Sequence, residues 1–392
     1  MAHRRIRLFG FAALVPVLVL AAACSKPADN PPAAAPAKDR VVAVTPPAQP
    51  TVVPAGDPGQ LPALDALPDA SVAGLAPEAQ GVNTAAFAAT PDPKAARIGE
   101  ARPDLIRLQV LLDRARFSPG EIDGRDGSNQ AVALAAYESA HGLPVDGKPD
   151  EAVWKILAEA DTAPVIQRYT LTAEDVAGPF ISAVPADIKD KAALPRLGFT
   201  NVAEALAEKF HMAPALLKAL NPGADFAAGT VITAVVPRAP LVDVQVATVQ
   251  VDRAARSVRA YDQNGELVAA YPASVGSTDM PAPSGTWAVR AVAPNPAYYY
   301  DPSRLTFGRA EAKGKLKIAA GPNNPVGSTW IDLTKDTYGI HGTPDPETIG
   351  KRQSHGCVRL TNWDAAELGK AIKKGATVAF VGANTAKRAK AT

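Results

Sequence analysis

A long stretch rich in alanine and proline most restricts what this chain can fold into. Residues 27–93 hold a single aromatic side chain, Phe87, and show neither a helical nor a strand period. Such a segment cannot bury enough apolar surface to offset the entropy that is lost on ordering. The sequence therefore predicts a disordered tether over residues 24–98, and it leaves folded structure to the rest of the 392-residue chain.

The charges of the chain nearly cancel. There are 41 Lys and Arg residues against 39 Asp and Glu residues, which gives a formal net charge of +2. A protein that binds nucleic acid usually carries a strong basic excess or a clustered basic face. We therefore expect no nucleic acid among the partners of this protein.

An export signal is predicted at residues 1–23. A basic start precedes an apolar run at residues 8–20 and three alanines, which is the layout of a secretory signal; the run is shorter than the roughly 20 residues of a membrane-spanning helix. The next residue, Cys24, resembles the acylated cysteine of bacterial lipoproteins, although Ala21 stands where that family prefers leucine. The resemblance implies lipidation of Cys24 and, with Ser25 behind it, a periplasmic protein anchored to the outer membrane. An ordinary signal peptide cut nearby is the alternative.

Three helices are predicted within residues 99–160. Leu105, Leu108 and Leu111 recur at helical spacing, and two further apolar segments follow, separated by turns rich in Gly and Asp. The order resembles the peptidoglycan-binding module found beside many wall enzymes; the matching segments are residues 108–112, 122–124, 136–143, 145–147 and 153–154. The resemblance implies peptidoglycan as a partner, and a small helical domain without a ligand is the alternative.

The sequence pattern of residues 165–238 predicts a strand near Tyr169, two helices over residues 203–210 and 215–220, and a closing strand. This order resembles a lysin-motif (LysM) module, which grips chains of N-acetylglucosamine. Residues 184–196 form an insertion where that family runs directly from strand to helix. The resemblance implies a glycan partner, and a purely spacing role is the alternative.

The pattern changes again at Val242, where apolar and polar residues begin to alternate as in half-buried strands. A turn at residues 263–265 contains Asn-Gly and indicates a hairpin. A helix is predicted over residues 362–372, with Asn362 as its N-cap, and a last strand over residues 376–381. The region is therefore predicted to be rich in strands joined by long loops.

Two of the five histidines, His341 and His355, lie close in sequence to Cys357, the cysteine that is expected to remain a free thiol. A free thiol is only about a few per cent thiolate at pH 7. An imidazole that takes its proton leaves a thiolate–imidazolium pair, so the cluster indicates acyl transfer. Gly356 lets a substrate backbone approach, and Arg359 can anchor a substrate carboxylate through paired hydrogen bonds.

Two other interpretations of this cluster remain open. The two histidines and the cysteine could be ligands of a zinc ion, with an Asp or Glu completing the site. Alternatively, Cys357 could be buried and inert.

The segment from Ser354 to Arg359, together with His341, closely resembles the signature of L,D-transpeptidases with the YkuD-type catalytic domain. The resemblance extends over about residues 242–381. Supporting matches lie at residues 321–327, 330–333 and 338–343.

This resemblance implies a mostly-β, sandwich-like catalytic domain over residues 241–383. The chain is thus predicted to be a multidomain α+β protein that ends in a basic tail, residues 384–392. The resemblance also implies that Cys357 is the nucleophile and that His341 is its general base and acid. It places five further residues in the oxyanion and substrate-binding site: His355, Gly356, Ser354, Arg359 and Gly342.

Members of that family attack the bond between meso-diaminopimelate and D-Ala in a peptidoglycan tetrapeptide stem and release D-Ala. The acyl group then passes to the amine of another stem, which forms a 3→3 cross-link, or to an amine of a wall-anchored protein. No metal ion or other cofactor is expected. The alternatives are hydrolysis at the same site, which makes an L,D-carboxypeptidase, and a non-enzymatic lipoprotein that anchors the outer membrane to the wall.

Overall fold

The computed structural model describes residues 71–88, 97–239, 244–277, 281–304, 312–352, 354 and 356–382. All of these belong to one compact unit, residues 50–392. The predicted signal at residues 1–23, Cys24 and the basic tail lie outside the described residues. Within the described part, none of the helices is both long enough and apolar enough to cross a membrane.

The first helix, α1 (Pro77–Thr84), lies inside the segment predicted to be a disordered tether. The prediction of no regular structure is wrong at this point. Ala79 and Val82 are buried, and the side chain of Asn83 accepts hydrogen bonds from the backbone of residues 165 and 166, both at 2.8 Å. Tertiary contacts therefore stabilise a helix that is too short to be stable alone.

Three helices follow in the predicted order, α2 (Pro103–Arg114), α3 (Ser128–Ala140) and α4 (Glu151–Ala160). The leucines of α2 at helical spacing are buried, as their period indicated. Asp150 caps α4 by accepting a hydrogen bond from the Val153 N–H at 2.8 Å. This part of the chain is a small helical domain.

The central module contains five elements: β1 (Ile166–Thr170), α5 (Ile188–Ala193), α6 (Val202–Lys209), α7 (Pro214–Leu220) and β2 (Val231–Val235). The two strands pair antiparallel, with Ile166 opposite Val235. The strand–helix–helix–strand order agrees with the sequence prediction, and α5 occupies the predicted insertion. Its relation to the LysM family stays a prediction.

The last domain is built on one nine-stranded sheet in the order β5-β4-β3-β13-β7-β10-β11-β12-β6. Its strands are β3 (Val246–Asp252), β4 (Ser257–Tyr261), β5 (Leu267–Pro272), β6 (Ser274–Val275), β7 (Gly285–Pro294), β10 (Thr329–Leu333), β11 (Gly339–His341), β12 (Val358–Arg359) and β13 (Ile372–Val381). A separate pair joins β8 (Tyr298–Tyr300) to β9 (Leu316–Ile318). The helix α8 (Asn362–Ala371) precedes β13.

This sheet is nearly closed. The strands at its two ends, β5 and β6, are separated in the chain by Ala273 alone, so the two ends of the sheet must come together. The expectation of a mostly-β domain is confirmed, and its main sheet curls around the buried core. Val249 and Val251 are fully buried in that core, as their alternation predicted.

A buried ion cluster joins the three folded parts. Arg238, which follows the central module, pairs with Asp113 of α2 and with Asp364 and Glu367 of α8 at 2.6 and 2.8 Å. Although burial raises the pKa of Asp113, Arg238 and His211 hold it well below its ordinary value. The helical domain, the central module and the last domain are thereby held in fixed contact.

Candidate active site

Two neighbouring strands bring the predicted catalytic residues together. β11 and β12 pair in parallel, with His341 opposite Arg359, and Cys357 directly precedes β12. Side chains two apart on a strand point to the same face, and paired residues share a face. His341 and Arg359 therefore lie on one face of the sheet, and the charge of Arg359 acts on both the His341 ring and the Cys357 thiol.

The ring of His341 is buried and held by the backbone next to it. Its Nδ1 lies 2.7 Å from the carbonyl oxygen of Gly342, and because a carbonyl can only accept, Nδ1 is placed to donate a hydrogen bond to it. The ring stacks on Trp330 with 5.4 Å between centroids. Burial, followed by the charge of Arg359, lowers the pKa of His341 to about 3, against the opposing effect of the Gly342 and Val326 carbonyls.

Cys357 as a whole residue is intermediate in exposure. Its Sγ lies 3.7 Å from the carbonyl oxygen of Thr337, which is an arrangement for a protonated thiol that donates. Burial raises the pKa of Cys357, and the backbone N–H of Gly339 and the charge of Arg359 act in the opposite direction.

At pH 7 the His341 imidazole and the Cys357 thiol are therefore both neutral. This differs from the thiolate–imidazolium pair that the sequence indicated. The physical reason is that both groups are withdrawn from water, while Arg359 beside them also repels a second positive charge on His341.

Arg359 is half-buried among polar groups. Burial lowers its pKa, whereas Cys357, Asp345 and Tyr298 raise it. A guanidinium remains charged under these conditions. The site therefore contains a fixed cation beside the sulfur.

Ser354 fixes the loop that carries the sulfur. Its Oγ accepts a hydrogen bond from the Gly276 N–H at 2.6 Å and donates to the carbonyl of Cys357. Its own N–H donates to the Gly276 carbonyl at 3.1 Å. The loop is thereby tied to the end of β6.

Gly356 has a φ of +110°, and a Cβ at this position would lie 3.1 Å from the ring of Tyr338. Both the backbone angle and the space favour glycine here.

One residue was assigned the wrong role from the sequence. Thr361, not Asn362, caps α8, because its Oγ1 accepts from the Asp364 N–H at 3.2 Å. The buried side chain of Asn362 instead accepts from the Ser328 N–H at 3.0 Å. A Cβ on Gly342 would lie 2.3 Å from this Asn362 oxygen. In the sequence, only the presence of glycine at position 342 indicated such close packing.

Two of the predicted site residues are not placed. His355 and the proposed lipidation site Cys24 lie outside the described residues. In the ranges that are described, no group of three or more His, Cys, Asp or Glu side chains is arranged to hold a metal ion.

Comparison with known families identifies two domains. Residues 247–380 match the YkuD family, described as the L,D-transpeptidase catalytic domain. Residues 101–157 match the putative peptidoglycan binding domain. Residues 247–380 are thus similar to L,D-transpeptidase catalytic domains and residues 101–157 to peptidoglycan-binding domains, which supports both sequence predictions.

Individual relatives agree with the catalytic assignment. The chain is 31% identical over 125 residues to a putative L,D-transpeptidase YkuD of Bacillus licheniformis, covering 32% of this chain and 59% of the relative. It is 27% identical over 190 residues to a probable L,D-transpeptidase YbiS of Escherichia coli, covering 47% of this chain and 61% of the relative. The chain therefore spans about three fifths of the length of these relatives.

Solved structures of similar proteins were also found. An L,D-transpeptidase from Mycobacterium smegmatis is 20% identical with a TM-score of 0.29, covering 40% of this chain and 65% of that one. An L,D-transpeptidase from Xylanimonas cellulosilytica is 15% identical with a TM-score of 0.32, covering 74% of this chain and 100% of that one.

Proposed function

We propose that this protein is a cysteine-dependent L,D-transpeptidase that acts on peptidoglycan. The observation that supports the proposal is the position of Arg359, which lies opposite His341 in the pairing of β11 with β12 and whose charge acts on both the His341 ring and Cys357, inside the segment that matches the catalytic domain. Cys357 is the nucleophile and His341 is the general base and acid. The substrate class follows from the same family match and from the peptidoglycan-binding domain.

The reaction proceeds in two halves. The sulfur of Cys357 attacks the carbonyl carbon of the meso-diaminopimelate–D-Ala bond, and its proton passes to the unprotonated Nε2 of His341. The tetrahedral intermediate collapses, D-Ala leaves with that proton on its amine, and a thioester remains. An acceptor amine then attacks the thioester, loses a proton to His341, and restores the thiol with a new amide bond.

Arg359 links substrate binding to this proton transfer. Its guanidinium binds a carboxylate of the stem peptide through paired hydrogen bonds. The bound carboxylate offsets the positive charge that lowers the pKa of His341, so the ring accepts a proton more readily once substrate is present. In this way substrate binding activates an enzyme in which the Cys357 thiol and the His341 imidazole are both neutral at rest.

The loop around the sulfur forms the oxyanion site. Gly356, with no side chain, lets the donor carbonyl approach, and backbone N–H groups near His355 and Cys357 stabilise the developing negative charge. Ser354 holds this loop in place, and Gly342 lets the Asn362 amide pack against the backbone beside His341.

The other parts of the chain deliver the enzyme to its substrate. The peptidoglycan-binding domain holds the wall, and the LysM-like central module adds a contact with glycan strands. The signal at residues 1–23 exports the chain, and lipidated Cys24 anchors it to the outer membrane on the periplasmic side. The proposed reaction requires no metal ion or other cofactor.

Incubation of the purified protein with disaccharide-tetrapeptides and analysis of the products by mass spectrometry tests this function. We expect 3→3 cross-linked dimers and free D-Ala from the native protein, and neither from Cys357→Ala at unchanged folding. Tripeptides without dimers would instead identify water as the acceptor, and transfer to an added protein amine would identify an anchoring enzyme. If neither D-Ala nor dimers form, the protein is a non-enzymatic anchor.

A further inference from the structure

The helix α6 of the central module reaches into the catalytic domain through two carboxyl groups. Glu204 and Glu208 are four residues apart and so lie on one face of the helix. Glu204 accepts a hydrogen bond from the Asn323 side chain at 2.8 Å. Both carboxyl oxygens of Glu208 lie within hydrogen-bond distance of the Asn362 side-chain nitrogen, at 3.0 and 3.2 Å.

Asn362 connects this contact to the backbone beside the catalytic histidine. Its nitrogen also donates to the Pro322 carbonyl at 3.2 Å, and its oxygen accepts from the Ser328 N–H at 3.0 Å. A Cβ on Gly327 or Gly342 would lie only 2.1 or 2.3 Å from that oxygen. The Asn362 amide is therefore packed tightly between the loop of residues 322–328 and Gly342.

Those two backbone segments supply the carbonyls that act on the His341 ring. The Gly342 carbonyl accepts from Nδ1 at 2.7 Å, and the Val326 carbonyl also favours the protonated ring. A shift of the Asn362 side chain would move both carbonyls. Among the hydrogen bonds of the described residues, the one with the carboxyl of Glu208 is the only one that joins the Asn362 side chain to a residue outside the catalytic domain.

We propose that Glu208 is a positioning residue for His341: by holding the Asn362 amide, it fixes the two backbone segments that orient the imidazole. The central module is thereby part of the scaffold of the active site and more than a spacer or a glycan-binding module. The proposal rests on the assigned role of His341 in the transpeptidase, and it adds a residue from a different module to that site.

The choice of variants follows from the state of Glu208. Burial raises the pKa of Glu208 to about 8, and the nearby carboxyl of Glu204 acts in the same direction. The hydrogen bond from Asn362 acts in the opposite direction. The group is mostly protonated at pH 7, so Glu208→Gln keeps both its charge and its shape. Glu208→Ala removes the hydrogen-bond acceptor. Glu208→Asp shortens the side chain by one methylene group and so moves the acceptor away from Asn362. Glu174→Ala, which removes an exposed carboxylate from the same module, is the matched control.

The first readout is the tautomer of His341 in the full chain labelled with ¹⁵N-histidine, from long-range ¹H–¹⁵N correlation spectra. We expect the Nδ1–H tautomer in the native protein, in Glu208→Gln and in the control, and a mixture of tautomers in Glu208→Ala. If Glu208→Ala does not fold, Glu208→Asp serves for the same comparison. A native tautomer in the folded Ala or Asp variant overturns the proposal.

The second readout is the rate of D-Ala release from disaccharide-tetrapeptide. We expect kcat to fall on the order of tenfold in Glu208→Ala, as for loss of one hydrogen bond, with KM unchanged and recovery in Glu208→Gln. A fall in kcat while His341 keeps its native tautomer also contradicts the proposal. If the native protein releases no D-Ala, the transpeptidase assignment fails, whereas the tautomer comparison still decides whether Glu208 orients His341.

Discussion

His341 and Arg359 stand directly opposite each other in the parallel pairing of β11 with β12. The guanidinium lowers the pKa of the imidazole, and the same charge lowers the pKa of the Cys357 thiol. The cation therefore favours negative sulfur and disfavours a protonated ring. Under the proposed function, an anionic substrate bound at Arg359 would raise the pKa of both groups.

Replacing Arg359 with methionine tests this arrangement. We expect the pKa of His341 to rise above its value of about 3, because the repelling charge is gone, and KM for the stem peptide to rise roughly tenfold to a hundredfold with the loss of a charge-assisted hydrogen bond. NMR titration of the ring and steady-state kinetics measure the two effects. Arg352→Met, at an exposed position nearby, should change neither; an unchanged ring pKa in Arg359→Met would show that the cation does not act on His341.

The pH dependence of alkylation reports the resting state of the sulfur. Because burial raises the pKa of Cys357 and His341 is neutral above about pH 3, the thiolate fraction is small at pH 7 and grows as the pH rises. We expect the rate of iodoacetamide addition to increase about tenfold per pH unit from pH 6 to beyond the ordinary thiol range. The rate is read on the peptide that contains Cys357, so Cys24 does not interfere. A plateau that begins near pH 5 would instead indicate a preformed thiolate–imidazolium pair.

Close packing around Asn362 predicts that a single methyl group is not tolerated at Gly342. A Cβ there would lie 2.3 Å from the Asn362 oxygen, so Gly342→Ala should destabilise the protein by about 1–3 kcal/mol and lower the rate of D-Ala release. Gly314→Ala is the control, since no atom lies within 4 Å of its Cβ position. Urea unfolding measures the difference, and equal stability of the two variants would contradict the packing described.

The buried charge of Arg238 predicts strong coupling between the three folded parts. Arg238→Met leaves Asp113, Asp364 and Glu367 without their shared cation, which should cost about 3–5 kcal/mol of unfolding free energy. The exposed pair of Arg125 with Glu100 supplies the control, because Arg125→Met should cost at most about 1 kcal/mol. In the native chain we expect one cooperative unfolding transition by calorimetry. Separate transitions for the helical and catalytic domains would argue against a common unit.

The sequence predicted those parts of the fold that local patterns specify. The leucines of α2 and the alternating valines of β3 show the periods of a helix and a strand, and both elements are found. The helix α1 was missed because it has only eight residues and depends on contacts with residues 165 and 166, more than 80 positions away. β6 and β12 have two residues each, which is too short for a period, so the near closure of the sheet could not be foreseen.

In the candidate site, too, local patterns predicted some features, whereas others depend on residues far apart in the sequence. The motif pointed to His341 and Cys357, and the structure places His341 on β11 and Cys357 directly before the adjacent strand β12. The role of Asn362 was misjudged because helix-capping rules are local, whereas its carboxyl partner Glu208 is 154 residues away. The neutral state of the resting pair was also beyond the sequence, since burial and the position of Arg359 determine it.

Trapping the acyl-enzyme tests the central claim most directly. The native chain is mixed with disaccharide-tetrapeptide without an acceptor, quenched in acid, and examined by intact-protein mass spectrometry. We predict a covalent adduct with the mass of the donor less D-Ala, located on the peptide that contains Cys357, cleaved by hydroxylamine and missing in Cys357→Ala. Release of D-Ala at the same rate by Cys357→Ala would contradict the claim that this sulfur carries the severed stem.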